Sequence, residues 1–448
     1  MKVPRSLLFC LAAGVCLVAL ASVGLEGGSE AATVPDTADT TPAANRPPPD
    51  AALIARGAQL AKAGDCASCH DSAQHQPFAG GQGVNSPFGS IFASNITPDL
   101  KTGIGRYTPA QFADALQRGV TPEGKRLYPA MPYPSFASLD ARDVNALYQY
   151  FMYGVQPVTN AVKKTRLPFP FNQRWIMLFW SMLFARHGLY QPDPAHSAQW
   201  NRGAWLVQGL GHCGACHTPR GPAYNELGYD EHSPLYLTGA VNDHWYAPNL
   251  TGDTGSGLGR WSEDDIVTFL RQGHNARATV FGAMAPVIEA STQYLSDDDL
   301  HAIAVYLKSL PPHAPHGQFV DTPAARASTA AALRGGTPER PGAGVFLAFC
   351  AKCHGADGNG TPGKAPPLAG SELVLSADPT SILRIVIEGS NSPATEQGGP
   401  PRKMPGFHTK LTDTEIAQVI SFVRGAWGNN AKPIPAAAVT RLRREIHQ

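Results

Sequence analysis

"GLGHCGACHTPRG", residues 209–221, sets Cys213, Cys216 and His217 in a C-x-x-C-H run. The pattern returns as "GDCASCH" (64–70), with Cys66, Cys69 and His70, and inside "FCAKCHGADG" (349–358), with Cys350, Cys353 and His354. C-x-x-C-H reads as a c-type haem attachment site. The two thiols bond to the haem vinyl groups and the adjoining histidine is the proximal iron ligand. At ordinary Cys and His frequencies, one chance match in a chain of this length is a roughly one-in-two-hundred event. Three matches exclude chance, so three covalently bound haem c groups are expected.

The rest of the composition agrees. Of the eight cysteines, Cys10 and Cys16 lie in an apolar leader and the other six are all in the three runs. None remains for a structural disulfide. The chain has 448 residues, and at about 150 residues per domain this suggests three domains. The three runs are spaced to match. A net charge of +1 gives no basic field for nucleic acid.

Lys2 and Arg5 precede an apolar run from Leu7 to Leu25, an export segment. Two outcomes are open. Ala19-x-Ala21 is an acceptable cleavage signature, and the run is also long enough to span a bilayer as an anchor. Either outcome puts the haem domains outside the cytoplasm. Residues 26–50, rich in Pro, Thr and Ala, read as a flexible tether. The remaining chain divides into segments 51–160, 198–312 and 338–430, connected by 161–197 and 313–337, with a tail at 431–448.

The first two segments repeat each other. "SNITPDLKTGIGRYTPAQFADALQRG" (94–119) matches "PNLTGDTGSGLGRWSEDDIVTFLRQG" (248–273), aligning Asn95 with Asn249 and Tyr107 with Trp261. Thr108-x-x-Gln111 and Ser262-x-x-Asp265 then read as capping boxes, as do Ser296-x-x-Asp299 and Thr412-x-x-Glu415 before the closing helices. Helical periodicity recurs before each C-x-x-C-H run and at each segment's end, and strand signals are weak. The expected fold is all-α: three tandem class I cytochrome c-like domains, each built around its haem.

A sixth iron ligand must come from a short list, since the chain has seven methionines. Met131, Met284 and Met404 each follow their histidine at a similar distance, in Pro/Gly-rich loops before the closing helix. That repeated placement favours ligation over simple core filling. Met152, Met177 and Met182 lie in apolar helical runs and read as packing or membrane contact. The other nitrogen of each proximal histidine needs an acceptor. Pro87, Pro248, and Pro366 or Pro367 are the candidate carbonyls. Arg106 and Arg260 read either as haem-propionate partners or as solvated arginines at helix starts. His212 and His408 read as polar neighbours, and "GADGNG" (355–360) as a turn. No catalytic set stands out. "LPFPFNQRWIMLFWSMLFARHGLY" (167–190), in the first connector, is apolar and aromatic but too short to span a membrane comfortably. With Arg174 and Arg186 at its flanks it suits a membrane interface. A buried contact helix is the other reading.

These stretches, together with "LYPAMPYPSF", "LGRWSEDDI", "STQYLSDDDLHAIAVYLKSLPP" and "MPGF", resemble the triple-haem cytochrome c subunits of the membrane-bound alcohol, aldehyde, gluconate, sorbitol and fructose dehydrogenases of acetic acid bacteria and their relatives. The resemblance covers nearly all of the chain after residue 50. It implies haem attachment at the six motif cysteines, proximal ligation by His70, His217 and His354, and distal ligation by Met131, Met284 and Met404. It also implies a partner: a large catalytic subunit, accompanied in some complexes by a small one, oxidises the substrate. The cytochrome takes the electrons and passes them to ubiquinone at the periplasmic face of the cytoplasmic membrane. The chain itself is then expected to have no substrate-oxidising site. One rival is a self-contained multihaem oxidoreductase such as a peroxidase, which needs an open iron position. Another is a zinc module, for which each run offers only three ligands.

Overall fold

Asp50 caps the first helix of the described residues, accepting from Ala52 N at 2.8 Å and Leu53 N at 3.1 Å. The computed structural model describes residues 46–336 and 340–446. The leader and most of the tether lie outside the described residues. The first segment runs α1 (Ala51–Ala63), α2 (Cys66–His70), the hairpin β1 (Gly83–Ser86) and β2 (Gly89–Phe92), α3 (Pro109–Arg118), α4 (Tyr133–Phe136) and α5 (Ala141–Gln149), which continues as a π-helical turn. Gly57 of α1 lies on α5 so closely that a Cβ would come within 2.0 Å of Ala146 O. Arg56 then pairs with Asp143 across the same crossing.

The first connector carries α6 (Ile176–Phe184). The second segment runs α7 (Ala198–Trp205), α8 (Gly214–His217), the hairpin β3 (Ala240–Asn242) and β4 (Trp245–Ala247), α9 (Glu263–Gln272), α10 (Met284–Ala290) and α11 (Asp297–Ser309). It repeats the crossing: a Cβ on Gly203 of α7 would come within 1.9 Å of Ala302 O in α11. The repeated N-x-T signature fastens the loops to the segment ends. Asn95 Nδ2 donates to Val158 O at 2.7 Å, and Asn249 Nδ2 donates to His313 O at 2.9 Å.

The third segment runs β5 (Gln318–Phe319), α12 (Pro323–Arg334), α13 (Ala343–Phe349), α14 (Ala351–His354), α15 (Glu372–Leu375), α16 (Thr380–Glu388), β6 (Gly389–Asn391), β7 (Lys403–Pro405), α17 (Asp413–Arg424), β8 (Asn429–Asn430) and α18 (Ala436–Ile446). The 313–337 connector thus carries a helix, and its β5 pairs antiparallel with β8. The tail is also helical: Val439 and Leu442 of α18 are buried, and Arg443 Nε meets Asp413 at 2.9 Å.

The described residues are mostly helical, with four short two-stranded ribbons where strand signals were weak. Buried residues fall into three clusters, which pack against Cys66, Cys213 and Cys350 respectively. In the third, Phe346, Phe422 and Trp427 form a ring triad with centroids 5.1–5.7 Å apart, each pair adding about 0.5–1.5 kcal/mol beyond its burial. The described residues form one compact unit. Among the described residues no helix is long and apolar enough to cross a membrane.

Candidate haem sites

Each C-x-x-C-H run coils into a single helical turn, in α2, α8 and α14. Positions i, i+3 and i+4 share one helix face, so the turn aims both thiols and the imidazole the same way. All six described cysteines are free thiols. Burial pushes Cys66, Cys213 and Cys350 up to about 12 and Cys69 up to about 11. Among the described residues no group of three or more His, Cys, Asp and Glu side chains converges as a metal site.

His70, His217 and His354 are each 9% exposed. Their Nδ1 atoms meet backbone carbonyls: Ser94 O at 2.7 Å, Pro248 O at 2.7 Å and Pro366 O at 3.0 Å. A carbonyl can only accept, so Nδ1 carries the proton and Nε2 keeps its lone pair for a metal. Burial lowers all three imidazoles from their ordinary range, opposed by these hydrogen bonds, and holds them neutral. Two of the expected acceptors are correct, Pro248 and Pro366. The third is not: Pro87 lies in the β1–β2 turn, and Ser94 takes its role. The histidine carbonyls are also held alike, accepting from Gly80 N at 2.6 Å, Gly239 N at 2.7 Å and Gly360 N at 2.9 Å. These glycines have φ of 75°, 95° and 74°. A Cβ on them would come within 2.5 Å of the Ser94 carbonyl carbon, 3.1 Å of Ala247 O and 2.6 Å of the Pro366 carbonyl carbon. Only glycine gives both that backbone and that approach. These glycines were not singled out from the sequence, although Gly358 and Gly360 do form the expected "GADGNG" turn.

Met131, Met284 and Met404 are all half-buried. Met131 packs on the same cluster as Cys66, and Met404 on the same cluster as Cys350. Met284 opens α10. Met152 is 4% exposed and fills the first core.

The residues present fit haem c by a further observation. Arg46 Nη2 donates to Gly105 O, beside Arg106, and the Nε atoms of both arginines are buried with no acceptor. Two such guanidinium nitrogens together suit a propionate. Arg260 does not take the equivalent role. Its guanidinium meets Glu372 at 2.9 Å and the carbonyls of Thr254 and Gly370, because α15 of the third segment lies against it. His212 sits between the first two runs, its Nε2 3.2 Å from Gly64 O. His408 is exposed.

The connector helix α6 is fixed by its inner face. Trp180 Nε1 donates to Ala223 O at 2.9 Å, and Ser181 Oγ is 2.9 Å from Tyr133 Oη. Arg174 Nη1 donates to Arg126 O at 2.7 Å, and Tyr128 Oη to Phe171 O at 2.9 Å, gripping the loop that leads to Met131. The outer face leaves Trp175, Phe179, Met182 and Leu183 at 54–73% exposure. Lys163, Lys164 and Arg166 line a basic cleft with Ser90 and Phe92 on the preceding part of the connector. The buried-contact reading therefore holds for one face of this helix only.

The cytochrome c family model matches residues 340–427. The chain is 45% identical over 409 residues to the cytochrome c subunit of a quinone alcohol dehydrogenase from Gluconacetobacter polyoxogenes, covering 90% of this chain and 86% of the relative. It is 44% identical over 404 residues to the cytochrome c subunit of gluconate 2-dehydrogenase from Pantoea cypripedii, covering 88% of this chain and 90% of the relative. It is 38% identical over 443 residues to the cytochrome subunit of fructose dehydrogenase from Gluconobacter japonicus, covering 95% of this chain and 88% of the relative. The attachment turns, the oriented histidines and this likeness along the chain agree: it belongs to the family of dehydrogenase cytochrome c subunits, with those of quinone alcohol, gluconate and fructose dehydrogenases.

Proposed function

We propose that the chain is a triple-haem electron-transfer subunit of a membrane-bound periplasmic dehydrogenase. Three tandem class I cytochrome c-like domains, 51–160, 198–312 and 338–430, each hold one covalent haem c. The observation that carries this reading is the threefold recurrence of a buried histidine whose Nδ1 is fixed on a backbone carbonyl. Cys66 and Cys69, Cys213 and Cys216, and Cys350 and Cys353 attach the haems. His70, His217 and His354 are the proximal ligands, and Met131, Met284 and Met404 the distal ones. Bound haem supplies reversible one-electron chemistry at its iron, and methionine ligation raises the potential relative to two histidines. The chain's part is to orient the imidazoles, hold the thioethers and keep water from the irons.

The names of the relatives support a separate catalytic dehydrogenase subunit as electron donor; in this reading that subunit is the large one and a small subunit is a further partner. That catalytic subunit oxidises an alcohol, an aldehyde, or a sugar or sugar acid. Electrons leave to ubiquinone, and the chain sits on the periplasmic face of the cytoplasmic membrane. The outer face of α6 supports the membrane contact, since aromatic and aliphatic side chains beside lysines and arginines suit an interface of anionic headgroups. The grip of Arg174 and Phe171 of the connector on the Met131 loop supports the first domain as the exit. Acid-acetone extraction of the mature protein tests the core claim. The colour should stay on the polypeptide with three haems per chain, and two or fewer would refute it.

A further inference from the structure

The stretch that leads to Met404 pairs with its own segment through β6 and β7, and it also reaches into the second segment. Arg402, two residues before Met404, sends its guanidinium into the loop that leads to Met284. Its Nη2 is 3.1 Å from both ring nitrogens of His274, and its Nη1 is 3.4 Å from Thr279 Oγ1. That spacing places the guanidinium across the imidazole, an arrangement suited to a planar cation. His274 Nε2 meets Gly398 O at 2.9 Å. A carbonyl requires an N–H, so Nε2 carries a proton toward Gly398, and the Arg402 guanidinium lies over the face of the ring. His274 and Thr279 bridge a tight turn, and the chain then reaches α10 at Met284. The far end of α10 is held from the same side, Ala394 N donating to Glu289 Oε1 at 2.7 Å. The first segment is built differently: Val120 follows Gly119 where His274 follows Gly273, and Arg174 of the connector holds its loop.

We propose that Arg402 is a positioning residue that straps the distal-ligand loops of the second and third haems together, so that the seating of Met284 on its iron depends on a side chain of the third domain. The proposal rests on the reading of Met284 and Met404 as distal ligands. An iron–thioether bond is only as well placed as the loop that presents the sulfur. Here two loops share one clamp, and a disturbance at either reaches both irons.

The test uses proton NMR of the fully reduced holoprotein. A methionine methyl lying over a low-spin haem is shifted far upfield by the ring current, giving one signal per methionine-ligated haem. Met131→Leu, Met284→Leu and Met404→Leu assign the three. In Arg402→Ala, the Met284 and Met404 signals should both shift or lose intensity while the Met131 signal stays. His274→Ala should likewise move the Met404 signal, although His274 lies in the other domain. Haem content and helicity in these variants establish that the fold is retained. A change confined to Met404 in Arg402→Ala, with Met404 untouched in His274→Ala, overturns the strap. If the unmodified protein lacks a Met284 signal, the ligation reading fails and the strap falls with it.

Discussion

Met131 lies in the expected loop, whereas Met284 opens α10 and Met404 lies in β7. On the distal-ligand proposal, each replacement by Ala should open one iron to carbon monoxide and lower that haem's potential. Met152→Ala should do neither, because Met152 is buried in the first core; it should instead cost about 2–5 kcal/mol of stability, read from the denaturation midpoint. The histidines and cysteines were legible in the sequence because their chemistry is in their side chains. The acceptor for His70 was not, because it is a backbone carbonyl and any residue can supply one. The alignment of "SNIT" with "PNLT" does set Ser94 opposite Pro248, so the repeat carried what residue type could not. A second residue, Asp65, immediately precedes the first C-x-x-C-H turn. Burial pushes its carboxyl up to about 7, with Asp71 adding to the rise and the Ser68 hydroxyl opposing it. A carboxyl whose pKa is raised on folding costs nothing below its unfolded value of 3.8. The cost grows as pH rises toward the folded pKa and is complete above it. Asp65→Asn keeps an acceptor for Ser68, so it should raise the melting temperature at about pH 8 and leave it unchanged at about pH 3. An equal effect at both would show that Asp65 is not protonated on folding.

The helix starts were the elements best written in the sequence. Thr108 with Gln111, Ser262 with Asp265 and Thr412 with Glu415 all form reciprocal capping boxes. Ser296 caps Asp299 N, but Asp299 does not reciprocate: Arg202 of α7 takes its carboxylate through two bonds of 2.7 and 3.0 Å. A tertiary partner with a full charge outcompetes a local backbone N–H. The crossings at Gly57 and Gly203 were hidden for the opposite reason, since a glycine within a helix signals weakness until its neighbour is known. In α6 the apolar character was plain but its direction was not. Trp180 turns inward at 8% exposure, whereas Trp175, Phe179, Met182 and Leu183 face outward. The membrane test therefore belongs to the outer residues. Trp175→Ser with Phe179→Ser should weaken binding to anionic vesicles by about 2 kcal/mol per side chain, and slow ubiquinone reduction. Donor oxidation with a soluble artificial acceptor should continue. If instead the large subunit dissociates while vesicle binding and quinone reduction per intact complex hold, the face is a protein-docking surface.

A relay on one chain works only if its carriers keep fixed separations, and so the contacts between segments matter as much as the sites. The first two segments meet at His212 and Gly64, beside both attachment turns. The second and third meet twice more, where Ser381 Oγ bonds Tyr246 N at 2.7 Å and Tyr246 O at 2.9 Å, and where Arg260 meets Glu372 at 2.9 Å. The Arg260–Glu372 pair is largely enclosed, with side chains 20% and 9% exposed. Burial raises the Glu372 carboxyl while Arg260 opposes that rise. Removing one member of an enclosed pair strands the other charge, at about 3–5 kcal/mol, whereas removing both can be nearly neutral. Arg260→Leu alone should therefore loosen the third segment, exposing the 313–337 connector to protease and lowering the unfolding midpoint. Arg260→Leu with Glu372→Leu should restore most of that resistance. If electron transfer across the chain depends on the docked geometry, transfer between the second and third haems, followed by flash reduction, should slow in the single variant and recover in the double. Equal slowing in both would mean that Arg260 acts on the haem directly, as a propionate partner, and not by holding the segments together.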